Sequence, residues 1–175
     1  QQQQQQPPPP PPPSQLVCET ILGAARRNDV VQIWDLIEKV GVPPSYANCI
    51  GQTALHVSVL WGHSEATSML LELGANPTAK NSYRESTPLH VAVESEKITD
   101  SVLRKHLIES LLEAGAKTGA EDRSGKRPID YLATNHPNIQ SLREKLHPPK
   151  RNVADLLLGD VTGTVMFCKP VGPLL

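Results

Sequence analysis

The chain has 175 residues and a net charge of -1, with Lys+Arg 17 against Asp+Glu 18. That size suits one globular unit or a short repeat array, and the balanced charge lacks the basic footprint of a nucleic-acid binder. Aromatics are only 3% of the chain, so Ala, Leu, Val and Ile must do the packing, which suits thin helices stacked closely. Cys18, Cys49 and Cys168 are odd in number, form no CxxC and follow no secretory signal. A disulfide framework or zinc site is not expected, and a cytoplasmic or nuclear setting is. No apolar run approaches the ~20 residues that span a bilayer, so no membrane partner is expected. The chain starts at Gln1 rather than Met, which suggests a piece of a longer protein.

Residues 1–15 read as a disordered Gln/Pro-rich leader. Its polyglutamine run is Gln1 to Gln6 and its polyproline run is Pro7 to Pro13. The proline run should form a polyproline II rod of roughly 3.1 Å per residue. It is either a ligand for SH3, WW or profilin-like grooves or a stiff spacer.

Self-similarity begins after the leader. Thr20-Ile21-Leu22, Thr53-Ala54-Leu55-His56, Thr87-Pro88-Leu89-His90 and Arg127-Pro128-Ile129-Asp130 recur at spacings of 33, 34 and 40 residues. Gly41, Gly74 and Gly115 recur behind them, and Asn48 to Thr53 is echoed by Asp122 to Arg127. Thr53, Thr87 and Thr20 are placed to cap a first helix through the hydroxyl, and Pro88 fits the first helical position. Gly41, Gly74 and Gly115 should end the second helices in a left-handed cap, and Gly51 and Gly125 should sit in tight turns. Each unit is then a hairpin-like turn and two antiparallel helices, and stacking closes the apolar flank that one unit leaves open.

These motifs resemble the ankyrin repeat family, whose pattern is D-x-x-G-x-T-P-L-H-x-A-A, then G-H, a Leu-rich helix and G-A. Residues 48 to 76 match best, through Asn48, Gly51, Thr53, Leu55, His56, Gly62, His63, Leu70, Leu71, Gly74 and Ala75. Residues 81 to 116 match through Thr87, Pro88, Leu89, His90, Ala92, Leu111, Leu112, Gly115 and Ala116. The flanking units keep less: Leu22, Ala24, Ala25 and Gly41 in one, Asp122, Gly125, Pro128 and Ile129 in the other. The expected fold is an all-α ankyrin-type helical repeat solenoid of about four repeats, at 16–47, 48–80, 81–121 and 122–147. The outer two are expected to be capping repeats. Residues 148–175 form a tail, in which Leu156 to Leu158 could start a docking helix and Val161 to Cys168 an edge strand.

Two departures from the period are visible. The turn from Asn81 to Thr87 has one extra residue and no Gly. The distance from His90 to Gly115 is 25 residues, against 18 from His56 to Gly74. Seven residues are close to two helical turns, enough to lengthen a helix by roughly 10 Å, capped at Thr99 or Asp100. Val102, Leu103, Leu107, Ile108, Leu111 and Leu112 would then share one stripe. The alternative is a loop bulging over Ser95 to Ser101.

No phosphate loop, metal-binding HExxH or nucleophile elbow occurs, so no catalytic residue, cofactor or metal is assigned. The resemblance implies that His56 and His90 bond backbone between repeats and that His63 links helices. Cys18 and Cys49 read as ordinary small apolar residues. The resemblance also implies a protein-binding scaffold that uses its turn tips and first helices. The candidate positions there are Arg27, Asn28, Ile50, Gln52, Leu60, Trp61, Tyr83, Arg84, Glu85, Glu94, Arg123 and Lys126. Ile50, Leu60 and Trp61 have the composition of an interface anchor, unless Trp61 packs over a neighbouring helix instead. A monomer that binds a protein or peptide is expected. The alternatives are the targeting arm of a larger enzyme and a scaffold acting through its proline run.

Overall fold

The computed structural model describes residues 14–132 and 139–147. The homopolymer runs of the leader and the 148–175 tail lie outside them. Every regular element among the described residues is helical, apart from one isolated bridge between Ala47 and Thr53. Helix α1 spans Gln15–Arg27 and α2 spans Val30–Trp34, which continues as a π-helical turn over Asp35–Lys39. Helices α3 (Ala54–Trp61) and α4 (Ser64–Glu72) form the next pair, and α5 (Pro88–Glu94) and α6 (Ser101–Glu113) the third. A single 3-10 turn, Pro128–Tyr131, and α7 (Ile139–Leu146) end the series. The first helices form one layer, with α1 on α3, α3 on α5 and α5 on the 3-10 turn, while α2, α4 and α6 form the second. None of these helices is long and apolar enough to cross a membrane.

Packing is close because the contact residues are small. Ala24, Ala25, Ala54, Ala66 and Ala92 are fully buried, and Ile21, Leu55, Leu70, Leu89, Leu107 and Leu111 fill the space between layers. The second helices end as expected, with Gly41, Gly74 and Gly115 at φ 80, 85 and 94°. Gly51 has φ 72°, and a Cβ there would come within 2.4 Å of the Ser82 backbone nitrogen. Glycine at 51 therefore serves both the turn and the contact with the next turn.

The register between units is set by a repeated side-chain relay. In α3, Thr53 Oγ1 lies 2.9 Å from His56 Nδ1, and His56 Nε2 reaches the Ser86 carbonyl of the next unit at 3.1 Å. In α5, Thr87 Oγ1 lies 2.9 Å from His90 Nδ1, and His90 Nε2 reaches the Lys126 carbonyl at 3.1 Å. A carbonyl only accepts, so each Nε2 carries the proton and each Nδ1 accepts from threonine. His63 Nε2 makes a third such bond, to the Arg26 carbonyl at 3.0 Å. These histidines are thus occupied by backbone.

Four sequence expectations change. Thr20 does not cap a helix. It lies inside α1, where its hydroxyl donates to the Val17 carbonyl, and Ser14 takes the N-cap position. Ile21 rather than Leu22 is the large apolar side chain of that helix that is fully buried, and Leu22 is partly buried against the core. Cys49 is exposed, unlike buried Cys18, because it sits on the outside of a turn tip. The seven added residues of the third unit divide between both proposed uses. Helix α6 has 13 residues against 9 in α4, and 95–100 form a loop where Gly62 and His63 suffice in the second unit. Asp100 is the cap, accepting from the Val102 N–H at 2.8 Å.

The buried stripe of α6 is also not the expected one. Val102 is 68% exposed, and Arg104 joins Leu107, Ile108 and Leu111 inside. The Arg104 guanidinium donates to the carbonyls of Ala92 and Val93 at 2.8 Å each, Ser95 at 2.8 Å and Ile98 at 2.5 Å. The end of α5 and the long loop after it leave carbonyls that no helix can satisfy, and one planar fork of donors answers four of them.

Replacing Arg104 with Met should lower unfolding free energy by about 3 kcal/mol, since buried carbonyls lose a charged donor. Arg104→Lys should not restore it, because a single ammonium cannot span the four acceptors; urea denaturation reads both. Burial pulls the His56 and His90 pKa values below their ordinary 6.5, with the carbonyl bonds opposing in part. The unfolded chain therefore binds more protons in this range, and stability is complete above pH 6.5 and lost as pH falls toward the depressed folded values. Thermal melts between pH 7.5 and 5 should show that decline, with a shallower slope in His56→Gln.

Candidate binding face

The turn tips are built by one short polar side chain each. Asn48 Oδ1 accepts from the N–H groups of Ile50 and Gln52 at 3.2 and 2.9 Å. Asp122 Oδ1 does the same for Ser124 and Lys126 at 2.8 and 3.0 Å. Such side chains mimic a backbone turn and hold the tip rigid. The third tip is longer, as its extra residue requires. Asn81 N–H bonds the Ser86 carbonyl at 3.0 Å, and Glu85 takes the positive φ, 54°, that glycine has in the other two tips. Neighbouring tips are stitched through backbone, Ser82 N–H to the Ile50 carbonyl at 3.0 Å and Arg123 N–H to the Arg84 carbonyl at 2.8 Å.

Between the second and third tips lies a groove of about 780 Å³. Its apolar surface comes from Ile50, Leu60, Tyr83 and Val91, and its polar edge from Gln52, Arg84, Glu94 and Glu96. Ile50 is 46% exposed and Tyr83 73%. Six of the twelve sequence candidates thus meet here: Ile50, Gln52, Leu60, Tyr83, Arg84 and Glu94. Trp61 stands at the end of α3 next to Leu60, 40% exposed, with Lys97 Nζ 3.8 Å and Arg26 Cζ 6.0 Å from its ring centroid.

The other candidates fall elsewhere. Arg27 is exposed and donates to Gln32 Oε1 at 2.7 Å. Asn28 has φ 58° and ends α1; its Oδ1 accepts from the Ala66 N–H at 3.2 Å and its Nδ2 donates to Glu65 at 3.1 Å. That side chain holds α4 against the α1–α2 turn. Glu85 pairs with Lys80 at 3.6 Å and with Arg123 at 3.7 Å, and Arg123 also donates to the Ser82 carbonyl at 3.0 Å. Both pairs are exposed, and the Arg123 contacts tie the third tip to the fourth. Lys126 Nζ lies 5.3 Å from the Tyr131 ring centroid.

Tyr131 was not visible as a functional candidate from sequence. Its hydroxyl donates to Asp122 Oδ2 at 2.5 Å and accepts from Arg84 at 2.9 Å, while Arg84 donates to Glu94 at 2.7 Å. The ring also meets His90 edge-on, with centroids 6.1 Å apart. The Tyr131 hydrogen bond, aided by the Lys126 and Ser124 N–H groups, holds the Asp122 pKa below the usual carboxylate range, and the same bond pushes the tyrosine pKa up. One signal was available: Tyr131 occupies the position that Val91 holds in the third unit, directly after His90 or Asp130. Among the described residues no cluster of three or more His, Cys, Asp or Glu is arranged to hold a metal.

Tyr131→Phe should raise the Asp122 pKa toward its ordinary value, because the largest stabiliser of the ionised carboxylate is gone. Carbon-detected NMR titration of the Asp122 side chain measures the shift, and an unchanged value would contradict this geometry.

Comparison with known proteins agrees with the fold. Residues 50–82 match the model of the ankyrin repeat family. The chain is 40% identical over 77 residues to the ARF GTPase-activating protein GIT2 of Mus musculus, covering 44% of this chain and 10% of that protein. It is 49% identical over 49 residues to the transient receptor potential cation channel subfamily A member 1 homolog of Caenorhabditis elegans, covering 28% and 4%. It is 29% identical over 110 residues to the inactive serine/threonine-protein kinase TEX14 of Mus musculus, covering 63% and 7%. The chain therefore spans a tenth or less of the length of these relatives. Family match, helix pairing and turn geometry coincide at residues 50–82, which match an ankyrin repeat and lie within an all-α stack of helix pairs.

Proposed function

We propose that this chain is a non-enzymatic protein-interaction module that holds a partner protein or peptide in the groove between its second and third turn tips. The observation that carries this reading is the meeting of six surface candidates from two units in one 780 Å³ cleft. That volume is in the range of specific ligand sites, and it has the apolar floor and polar rim of an interface. A rigid receptor needs little ordering on binding, and the Asn81 and Asn48 turns together with the tip stitches supply that rigidity. The relatives point the same way. Their names describe a GTPase-activating protein, a cation channel and an inactive kinase, so the short shared region tracks no single chemistry. A binding unit carried by different proteins explains that pattern better than a reaction does.

The test is quantitative proximity labelling in cells with the wild-type chain, an Ile50→Asp/Tyr83→Ala double variant, and Trp61→Ala. Specific neighbours should fall about tenfold with the double variant, the scale of a lost interface anchor. Both variants should keep thermal stability within about 1 kcal/mol, as surface changes do. Undiminished labelling with a correctly folded double variant would refute the groove as the binding site. A large loss of melting temperature in Trp61→Ala would place that ring in the packing of α3 instead.

A further inference from the structure

The charges that line the groove are balanced. Arg84 donates to Glu94 at 2.7 Å, and the other two, Glu96 and Lys97, are sequence neighbours of opposite sign. An occupant therefore gains little by carrying charge. What stays open is apolar surface on Ile50, Leu60 and Val91, together with two neutral polar groups, the Gln52 carboxamide and the Tyr83 hydroxyl. Among the described residues these two side chains make no hydrogen bond, and neither polar group is buried. Both can donate, so the fitting ligand is uncharged, apolar and rich in acceptors.

The start of α1 brings such a segment to the level of the tips. The end of α1 is level with the end of α3, since His63 Nε2 donates to the Arg26 carbonyl at 3.0 Å and Asn28 Oδ1 accepts from the Ala66 N–H at 3.2 Å. Helix α1 has 13 residues and α3 has 8, and the two pack side by side. At 1.5 Å per residue α1 therefore rises about 7.5 Å further, to the height of the second tip. Directly before it stand Ser14 and the run Pro7 to Pro13, and residues 1–13 carry no charged side chain. Proline has a carbonyl and no N–H, so the run brings acceptors and no donor that must be matched. Neighbouring helices pack roughly 10 Å apart, which puts a groove between α3 and α5 about 15 Å from α1. A run of this length in polyproline II covers roughly 20 Å.

We propose that Pro7 to Pro13 cross the second tip and occupy the groove of their own chain, so that the leader competes with the partner for that site. Proline rings seat on Ile50 and Val91 and stack on the Tyr83 ring, while their carbonyls accept from the Tyr83 hydroxyl and the Gln52 carboxamide. A proline run has little freedom to lose on docking, and a short tether keeps its local concentration near millimolar. A weak contact is therefore enough to fill the site. This rests on the groove being the binding site and adds its regulation.

The experiment compares the full chain with a variant in which each proline from Pro7 to Pro13 is changed to serine, which alters none of the described residues. In proton–nitrogen correlation spectra the change should move the amides of Ile50, Gln52, Tyr83 and Val91, to the same extent across a wide dilution series. Shifts that fade on dilution mean that a second copy's leader fills the groove. Shifts at Leu16, Val31 and Trp34 instead, or none beyond the first turn of α1, place the run elsewhere. Either result overturns self-occupancy. Proximity labelling separates this inference from the groove reading. The neighbours lost in Ile50→Asp/Tyr83→Ala should rise roughly two- to tenfold in the serine variant, because a groove half to nine-tenths filled by its own leader lowers apparent affinity by that factor. Labelling that stays level or falls overturns the competition and leaves the groove standing. Labelling that the double variant does not diminish overturns both.

Discussion

The threonine–histidine–carbonyl relay is the contact on which the architecture turns. A helix pair of this size leaves one apolar flank open, and hydrophobic contact alone does not fix how far one pair slides past the next. The relay does. Thr53 fixes the His56 ring through Nδ1, and only then can Nε2 meet the Ser86 carbonyl at 3.1 Å. Because both ring nitrogens are used, the tautomer, the ring orientation and the rise to the next unit are decided together. The bond from His90 to the Lys126 carbonyl repeats the same construction one unit later.

A fixed rise is what makes the turn tips line up. Ser82 N–H can reach the Ile50 carbonyl only if the second and third tips stand at one height, and that approach in turn forbids a side chain at Gly51. The Asx-type bonds of Asn48, Asn81 and Asp122 then stiffen each tip from within. The result is a row of short, rigid loops above a row of first helices. A cleft between two such loops is walled by hydrogen-bonded turns, so the helices supply depth and the tips supply width.

Sequence alone exposed the parts of this design that recur. Thr53, His56 and Gly74 each have a counterpart about one period away and Gly51 has one two units on, at Gly125, and each role follows from the residue type: cap, linker, turn, stop. What stayed hidden had no counterpart. Arg104 reads as a solvated charge on a helix, and its burial follows only from the carbonyls that the 95–100 loop leaves open. The one clue is its spacing to Leu107, Ile108 and Leu111, which puts it on the apolar stripe. Thr20 misled because its period matched while its surroundings did not: α1 starts earlier and runs longer, so the residue falls mid-helix. Asn28 was read as a surface position, but a left-handed helix end needs such a residue, and its amide was within reach of α4.

The same comparison explains why the cleft opens where it does. The position after His90 is Val91, and the position after Asp130 is Tyr131. In the fourth unit the tyrosine ring occupies the corresponding space, against His90, beneath Lys126 and bonded to Arg84 and Asp122. In the third unit the smaller Val91 leaves that space unfilled, and the longer Asn81 to Ser86 tip widens it. The long 95–100 loop then closes one end, carrying Glu96 and Lys97 to its edge. Cleft and filled site are two outcomes of one repeat position, a small side chain in one unit and a large one in the next. Arg84 belongs to both, lining the cleft while its guanidinium is held by Glu94 and Tyr131. Residues 122–131 thus orient a wall of the cleft from the far side through Tyr131.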